Sequence, residues 1–124
     1  MNLNAKTAAL VIGVVFLAVG VLGFLPNPLV SPTGLFAVNP AHNLVHIVSG
    51  LVLLAGAYTG LGASLALKIV GIVYGAVAVL GLVSSGNMLL GIILMNAADH
   101  WLHVALAAVI LAAGFLLDDE PAMA

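Results

Sequence analysis

Two segments hold most of the side chains in this sequence that are capable of chemistry. They read Asn39-Pro40-Ala41-His42-Asn43-Leu44-Val45-His46 and Asn96-Ala97-Ala98-Asp99-His100-Trp101-Leu102-His103. His42 and His46 are four residues apart, as are Asp99 and His103, so on a helix each pair shares a face one turn apart. Three imidazoles and a carboxylate from two facing helices can close a tetrahedral zinc site or form part of an iron, manganese or copper site. His42, His46, Asp99 and His103 are thus the candidate ligands for a divalent metal such as zinc. Asn43 and His100 stand beside them as groups that could orient imidazoles. Asn39 and Asn96 read as helix N-caps, with Pro40 at the favoured first helical position.

The same residues suit a plainer chemistry. His46 and His103 could hydrogen-bond to each other, and Asp99 could pair with His42 or His100, gluing two helices together. The protein would then be a structural or accessory one. Proton or ion handling needs a polar path beyond the cluster, and past His46 and His103 their segments offer only Ser49, Tyr58 and Thr59. A b-type haem between His46 and His103 ranks below a non-haem metal, since no arginine exists to meet its propionates. Ser49 lacks the strained elbow of a nucleophile, and no catalytic residue is assigned. The pattern favours a protein that is not an enzyme.

The elements that must position these groups follow from composition. Of 124 residues, 65% are hydrophobic and six are charged: Lys6, Lys68, Asp99, Asp118, Asp119 and Glu120. A soluble domain is about 25% charged, so this chain cannot cover its surface with polar groups. The mean hydropathy of +1.36 agrees, and the expected solvent is a lipid bilayer. Two lysines and no arginine exclude nucleic-acid binding. The absence of cysteine excludes disulfides, thiolate metal sites and c-type haem.

Four apolar stretches are expected to cross the membrane, leaving no room for a soluble domain. They run from about Lys6 to Leu25, from Asn39-Pro40 to about Tyr58, from near Leu65 to Ser84, and from Asn96 to Leu117 before Asp118-Asp119-Glu120-Pro121. The fold class expected is an all-α four-helix transmembrane bundle, a single domain over 1–124. The first stretch resembles a signal peptide, with Ala18-Val19-Gly20 as a cleavage site, but a repeat argues that it stays. GVVFLAVGVLGF (Gly13 to Phe24) and GIVYGAVAVLGL (Gly71 to Leu82) are identical at seven of twelve positions, at an offset of 58. At an offset of 57, Gly34 falls on Gly91, Asn39 on Asn96, His46 on His103 and His42 on Asp99. A duplicated helical hairpin, with repeats of about 6–58 and 65–117, is the simplest reading.

Two helices per repeat give both copies the same orientation, related by a pseudo-two-fold axis along the membrane normal. His46 and His103 then share a depth, about 5–10 Å below the helix ends. Lys6 and Lys68 precede the first and third helices, so the positive-inside rule makes that side, and both termini, cytoplasmic. The His/Asp cluster then lies at the extracytoplasmic face of a bacterial plasma membrane. Trp101 and Tyr58 suit the aromatic belts. The apolar pieces 35–38 and 89–95 are expected either to fold over the helix starts or to lengthen the helices, with Pro40 favouring the first for the earlier piece. Close helix packing is expected through Gly71/Gly75, Gly56/Gly60 and, more loosely, Gly13/Gly20. The Tyr74 hydroxyl, at the position equivalent to Phe16, is expected to find a backbone carbonyl.

At FAVNPAHNLVHIVSG (Phe36 to Gly50), GIVYGAVAVLGLV (Gly71 to Val83) and NAADHWLH the chain resembles a family of small bacterial four-helix integral membrane proteins whose domain has no assigned function. The resemblance covers nearly the whole chain. It implies an integral membrane protein and carries over to His42, Asn43, His46, Asn96, Asp99 and His103. The family often has Asn where this chain has His100. It implies no activity. Expected partners are the lipid bilayer, with a homo-oligomer or a membrane partner protein left open.

Overall fold

A computed structural model describes residues 3–119. The four helices are α1 (Ala5–Leu22), α2 (Pro40–Tyr58), α3 (Ala63–Val83) and α4 (Ala97–Leu116). Two links carry pairs of two-residue strands: β1 (Val30–Ser31) with β2 (Phe36–Ala37), and β3 (Met88–Leu89) with β4 (Ile93–Leu94). At 18 to 21 residues each, the helices span about 27–32 Å, the thickness of a bilayer core. All four are apolar enough to cross a membrane. Large side chains such as Val14, Leu51, Ile72 and Phe115 point outward from them, so the apolar surface faces lipid. The chain is a four-helix membrane bundle.

Helix boundaries follow local chemistry. Asn4, Asn39 and Asn96 cap α1, α2 and α4, each side-chain oxygen accepting from the backbone N–H three residues on. Helix α1 stops at Leu22, three residues short of the expected end. There Asn27 organises the link: its amide donates to the carbonyls of Leu22, Leu25 and Val30, and its oxygen accepts from the N–H groups of Leu29 and Val30. Helix α3 starts at Ala63, earlier than expected, after Gly62 at φ 89°. Its first turn is capped from a distance, since the Asp119 carboxylate accepts from the Ser64 N–H at 2.6 Å. The carbonyls of Asp118 and Asp119 accept from the N–H groups of Ala5 and Lys6. The segment just after α4 thereby satisfies orphan donors at the start of two helices. Glu120 and Pro121, read as part of the stop after α4, lie outside the described residues.

Helix α1 packs chiefly on α2 and α3 on α4, and the two hairpins meet mainly through α2 and α3. Each of these strand-bearing links also crosses to the other hairpin: β2 lies against α4 and β4 against α2. The crossing is reciprocal. The Asn39 amide donates to the Ile92 carbonyl, and the Asn96 amide to the Leu35 carbonyl, both at 2.9 Å. Donors and acceptors are each 57 residues apart. Neither of the apolar pieces 35–38 and 89–95 lengthens its helix. Both run extended, β1 and β2 parallel but β3 and β4 antiparallel, the second turning through Leu90 and Gly91 at positive φ.

The two asparagines therefore cap one helix and tie down the opposite link with the same side chain. Losing a cap costs about 0.5–2 kcal/mol and losing a hydrogen bond about 0.5–1.5 kcal/mol. Asn96→Ala is expected to lower stability by about 1–3 kcal/mol, measured by denaturation in detergent. Asn96→Asp keeps the capping oxygen and removes the amide donor, so it should lose only the smaller share.

The glycines divide unequally. A Cβ at Gly50 would lie 2.7 Å from the Gly13 carbonyl oxygen, so α1 and α2 touch backbone to backbone. Gly20 is also closed, against Ile47 and the backbone of Asn43, and Gly71 against Leu111 of α4. Gly75 and Gly60 have nothing within 4 Å. The expected Gly71/Gly75 and Gly56/Gly60 faces thus reduce to one contact residue each, while the looser Gly13/Gly20 face is used at both positions.

Candidate metal centre

The cluster forms where the N-terminal ends of α2 and α4 meet. Spacing of four puts His42 and His46 one above the other on α2, with ring centroids 4.8 Å apart. From α4, His103 faces both, its centroid 5.6 Å from His42 and 6.3 Å from His46. One ligand nitrogen from each ring can be chosen so that all three lie within 4.8 Å of one another. A tetrahedral site with metal–nitrogen bonds of about 2.0–2.1 Å needs those atoms about 3.3 Å apart. Side-chain rotations that close about 1.5 Å would complete three corners.

The other helices supply the floor. Phe16 of α1 and Tyr74 of α3 lie 5.2 Å apart between centroids and pack under His46 and His103. The Tyr74 hydroxyl meets the Ser49 hydroxyl at 3.1 Å, and Ser49 in turn donates to the Val45 carbonyl at 2.7 Å. The partner of Tyr74 is thus a side chain rather than the expected backbone carbonyl. Ser49 is engaged in packing, with its one proton committed. A cavity of about 10 Å³ lies among His42, His46, His103 and Tyr74, lined also by Ile93 and Met95 from the link between α3 and α4. That is about the least volume that holds one water, enough for a metal ion and far too small for a porphyrin between His46 and His103.

The polar partners of these residues separate them. His42 Nδ1 lies 2.7 Å from the Leu94 carbonyl oxygen. A carbonyl can only accept, so Nδ1 carries the proton and Nε2 keeps its lone pair, the tautomer a metal ligand requires. Both ring nitrogens of His46, and Nδ1 of His103, are buried without a partner. Among the described residues no hydrogen bond joins His46 to His103, as direct glue would need. Each buried polar atom left unsatisfied costs about 1–3 kcal/mol.

Asp99 is fully buried but does not belong to the three-nitrogen group. Its Oδ2 accepts from the Asn96 N–H at 2.9 Å, completing a capping box with the Asn96 side chain. Spacing puts Asp99 and His103 on one face, and the cap then turns the carboxylate back toward the helix start. Asn43 and His100, at corresponding places on α2 and α4, leave the cluster too. A Cβ at Gly23 would strike Asn43, and one at Gly81 would strike the His100 ring. Each of these polar side chains therefore sits in a notch left by a glycine in or at the end of the neighbouring helix. His100 does not simply reach out to water beside Trp101: it is half-buried and its Nδ1 is without a partner. Met95 was not singled out by its sequence context. It follows Leu94, whose carbonyl holds His42, and the equivalent residue 57 places earlier is Val38.

Neither curated proteins nor solved structures give a match to this chain. A family model does match, over residues 6–116, and that span includes all four helix cores and every residue of the cluster. The chain belongs to the family described as Domain of unknown function (DUF4383).

Proposed function

We propose that this is a multi-pass bacterial membrane protein whose three-histidine cluster binds a transition-metal ion near the extracytoplasmic face. One observation carries the reading. His46 presents two buried, unpartnered ring nitrogens beside two further imidazoles, and a bound cation would offset their desolvation. His42 and His103 join it as ligands. Asp99 is the fourth ligand the spacing suggests, and it could enter only by giving up its bond to the Asn96 N–H. In its capping position it holds the start of α4 and hence the depth of His103. Zinc, iron, manganese and copper all accept imidazole.

The orientation rests on Lys6 and Lys68, at the ends of α1 and α3 opposite the cluster. Both termini are then cytoplasmic and the protein lies in the plasma membrane. The duplicated hairpin, as one domain of two repeats, is supported by the reciprocal Asn39–Ile92 and Asn96–Leu35 bonds and by the matched notches at Gly23 and Gly81. A second reading also has an observation behind it. Asn39, Asn96 and His42 do bond across hairpins, so part of the polar set is glue. His46 and His103 make no such bonds, which is why the metal reading is preferred for them.

Elemental analysis of the detergent-purified chain, made without a histidine tag, tests this. About one transition-metal ion per chain is expected, lost in the His46→Ala/His103→Ala variant and retained in His100→Ala. No metal after incubation with each ion would leave the cluster as packing chemistry.

A further inference from the structure

We infer that the thioether of Met95 is the fourth donor of this site, and that the ion the site selects is copper in its cuprous state. The inference rests on the metal reading above and names its occupant. Three observations carry it. Met95 is buried, 3% exposed, and lines the same small cavity as His42, His46 and His103. The donor-bearing side chains that line that cavity are then three imidazoles and one thioether, a set in which thioether favours Cu(I) over zinc, iron or manganese. Every member of the set is neutral, because the one nearby carboxylate, that of Asp99, is held in the α4 capping box.

Charge points the same way. The cost of moving an ion out of water grows with the square of its charge, so a neutral donor set inside a bilayer favours a monovalent ion over a divalent one. Zinc in such a site would keep its full double charge among Phe16, Val45, Val77 and Ile93. Cuprous copper also accepts three or four soft or borderline donors without demanding a strict geometry. Met95 is placed by two backbone contacts. Its N–H donates to the Asn87 carbonyl at 2.9 Å, and the preceding carbonyl, that of Leu94, orients His42. One short segment thus orients an imidazole and carries the Met95 side chain to the cavity. Where the link between α1 and α2 has Val38, that between α3 and α4 has Met95, so only one of the two links brings a thioether side chain.

The test uses the full chain in detergent under anaerobic conditions. Copper(I) is titrated against a chromophoric cuprous chelator, and zinc(II) separately against a zinc-responsive dye. The unaltered protein is expected to bind one Cu(I) more tightly than Zn(II), with a sulfur neighbour beside the nitrogens in X-ray absorption at the copper edge. Met95→Leu keeps the volume and removes the sulfur. It should weaken Cu(I) binding by at least about tenfold, leave Zn(II) binding unchanged, and abolish the sulfur scatterer. Should Met95→Leu fail to fold, the absorption spectrum of the unaltered protein decides by itself. A nitrogen-only copper site, or tighter binding of Zn(II) than of Cu(I), would overturn the cuprous thioether site and leave the three-histidine reading standing. Binding of neither ion would overturn both.

Discussion

His46→Leu is expected to make the metal-free protein more stable while abolishing its response to metal. Leucine fills nearly the volume of imidazole, so no large cavity opens, and two buried nitrogens without partners are removed. With about 1–3 kcal/mol per unsatisfied group, a net gain of about 1–3 kcal/mol is expected for the apo form. The order reverses with ligand. A metal at a hundred times its dissociation constant stabilises the unaltered protein by about 2.7 kcal/mol, and the variant receives none of it. Thermal unfolding in detergent, with and without the ion, reads both effects. If His46 were glue, the variant would be less stable in both conditions. His42→Leu is the contrasting case: it removes a hydrogen bond to the Leu94 carbonyl and so should destabilise even the metal-free form.

A marked loss of stability from a single added methyl group is expected at Gly50. Alanine is the better helix former by about 1 kcal/mol, so a glycine-to-alanine change on a lipid-facing surface should be neutral or favourable. Gly75→Ala is that control, with open space around the position. At Gly50 the new Cβ would lie 2.7 Å from the Gly13 carbonyl oxygen and 2.9 Å from Leu17 Cγ. The Gly13 carbonyl and the Leu17 backbone nitrogen, the latter 3.1 Å away, cannot rotate away, so α1 and α2 must separate. Overpacking of this kind costs about 1–3 kcal/mol, and the site shares the damage. Gly50 lies one turn beyond His46, and Phe16 of α1 packs against the His46 ring. Gly50→Ala should therefore lower the denaturation midpoint and weaken metal binding together, whereas Gly75→Ala changes neither.

Several features of the molecule could be read from residue order alone, because they depend on local periodicity and on contacts three or four residues apart. Six charges in 124 residues dictate the membrane. Apolar runs of bilayer length dictate four helices, and Asn39-Pro40 and Asn96 mark where α2 and α4 begin. A spacing of four puts His42 with His46, and the matching positions of the two segments bring His103 to the same depth. That these two faces turn toward each other is settled by packing.

What residue order left open are choices between partners in different parts of the chain. Asp99 has two neighbours within reach of one turn, a backbone N–H and the cluster. Its side chain bonds the N–H, since an uncapped donor in an apolar setting is costly. Met95 belongs to a link, and helical periodicity is silent on which way a link turns. Only the crossing of β4 onto α2 brings it to the cavity. Tyr74 and Ser49 lie on different helices, so their hydrogen bond depends on the rotation of α3 against α2. The same holds for the glycines: Gly71 and Gly75 are equivalent by spacing, yet only Gly71 faces α4. A helix presents every face equally to inspection, and tertiary packing decides which one is used.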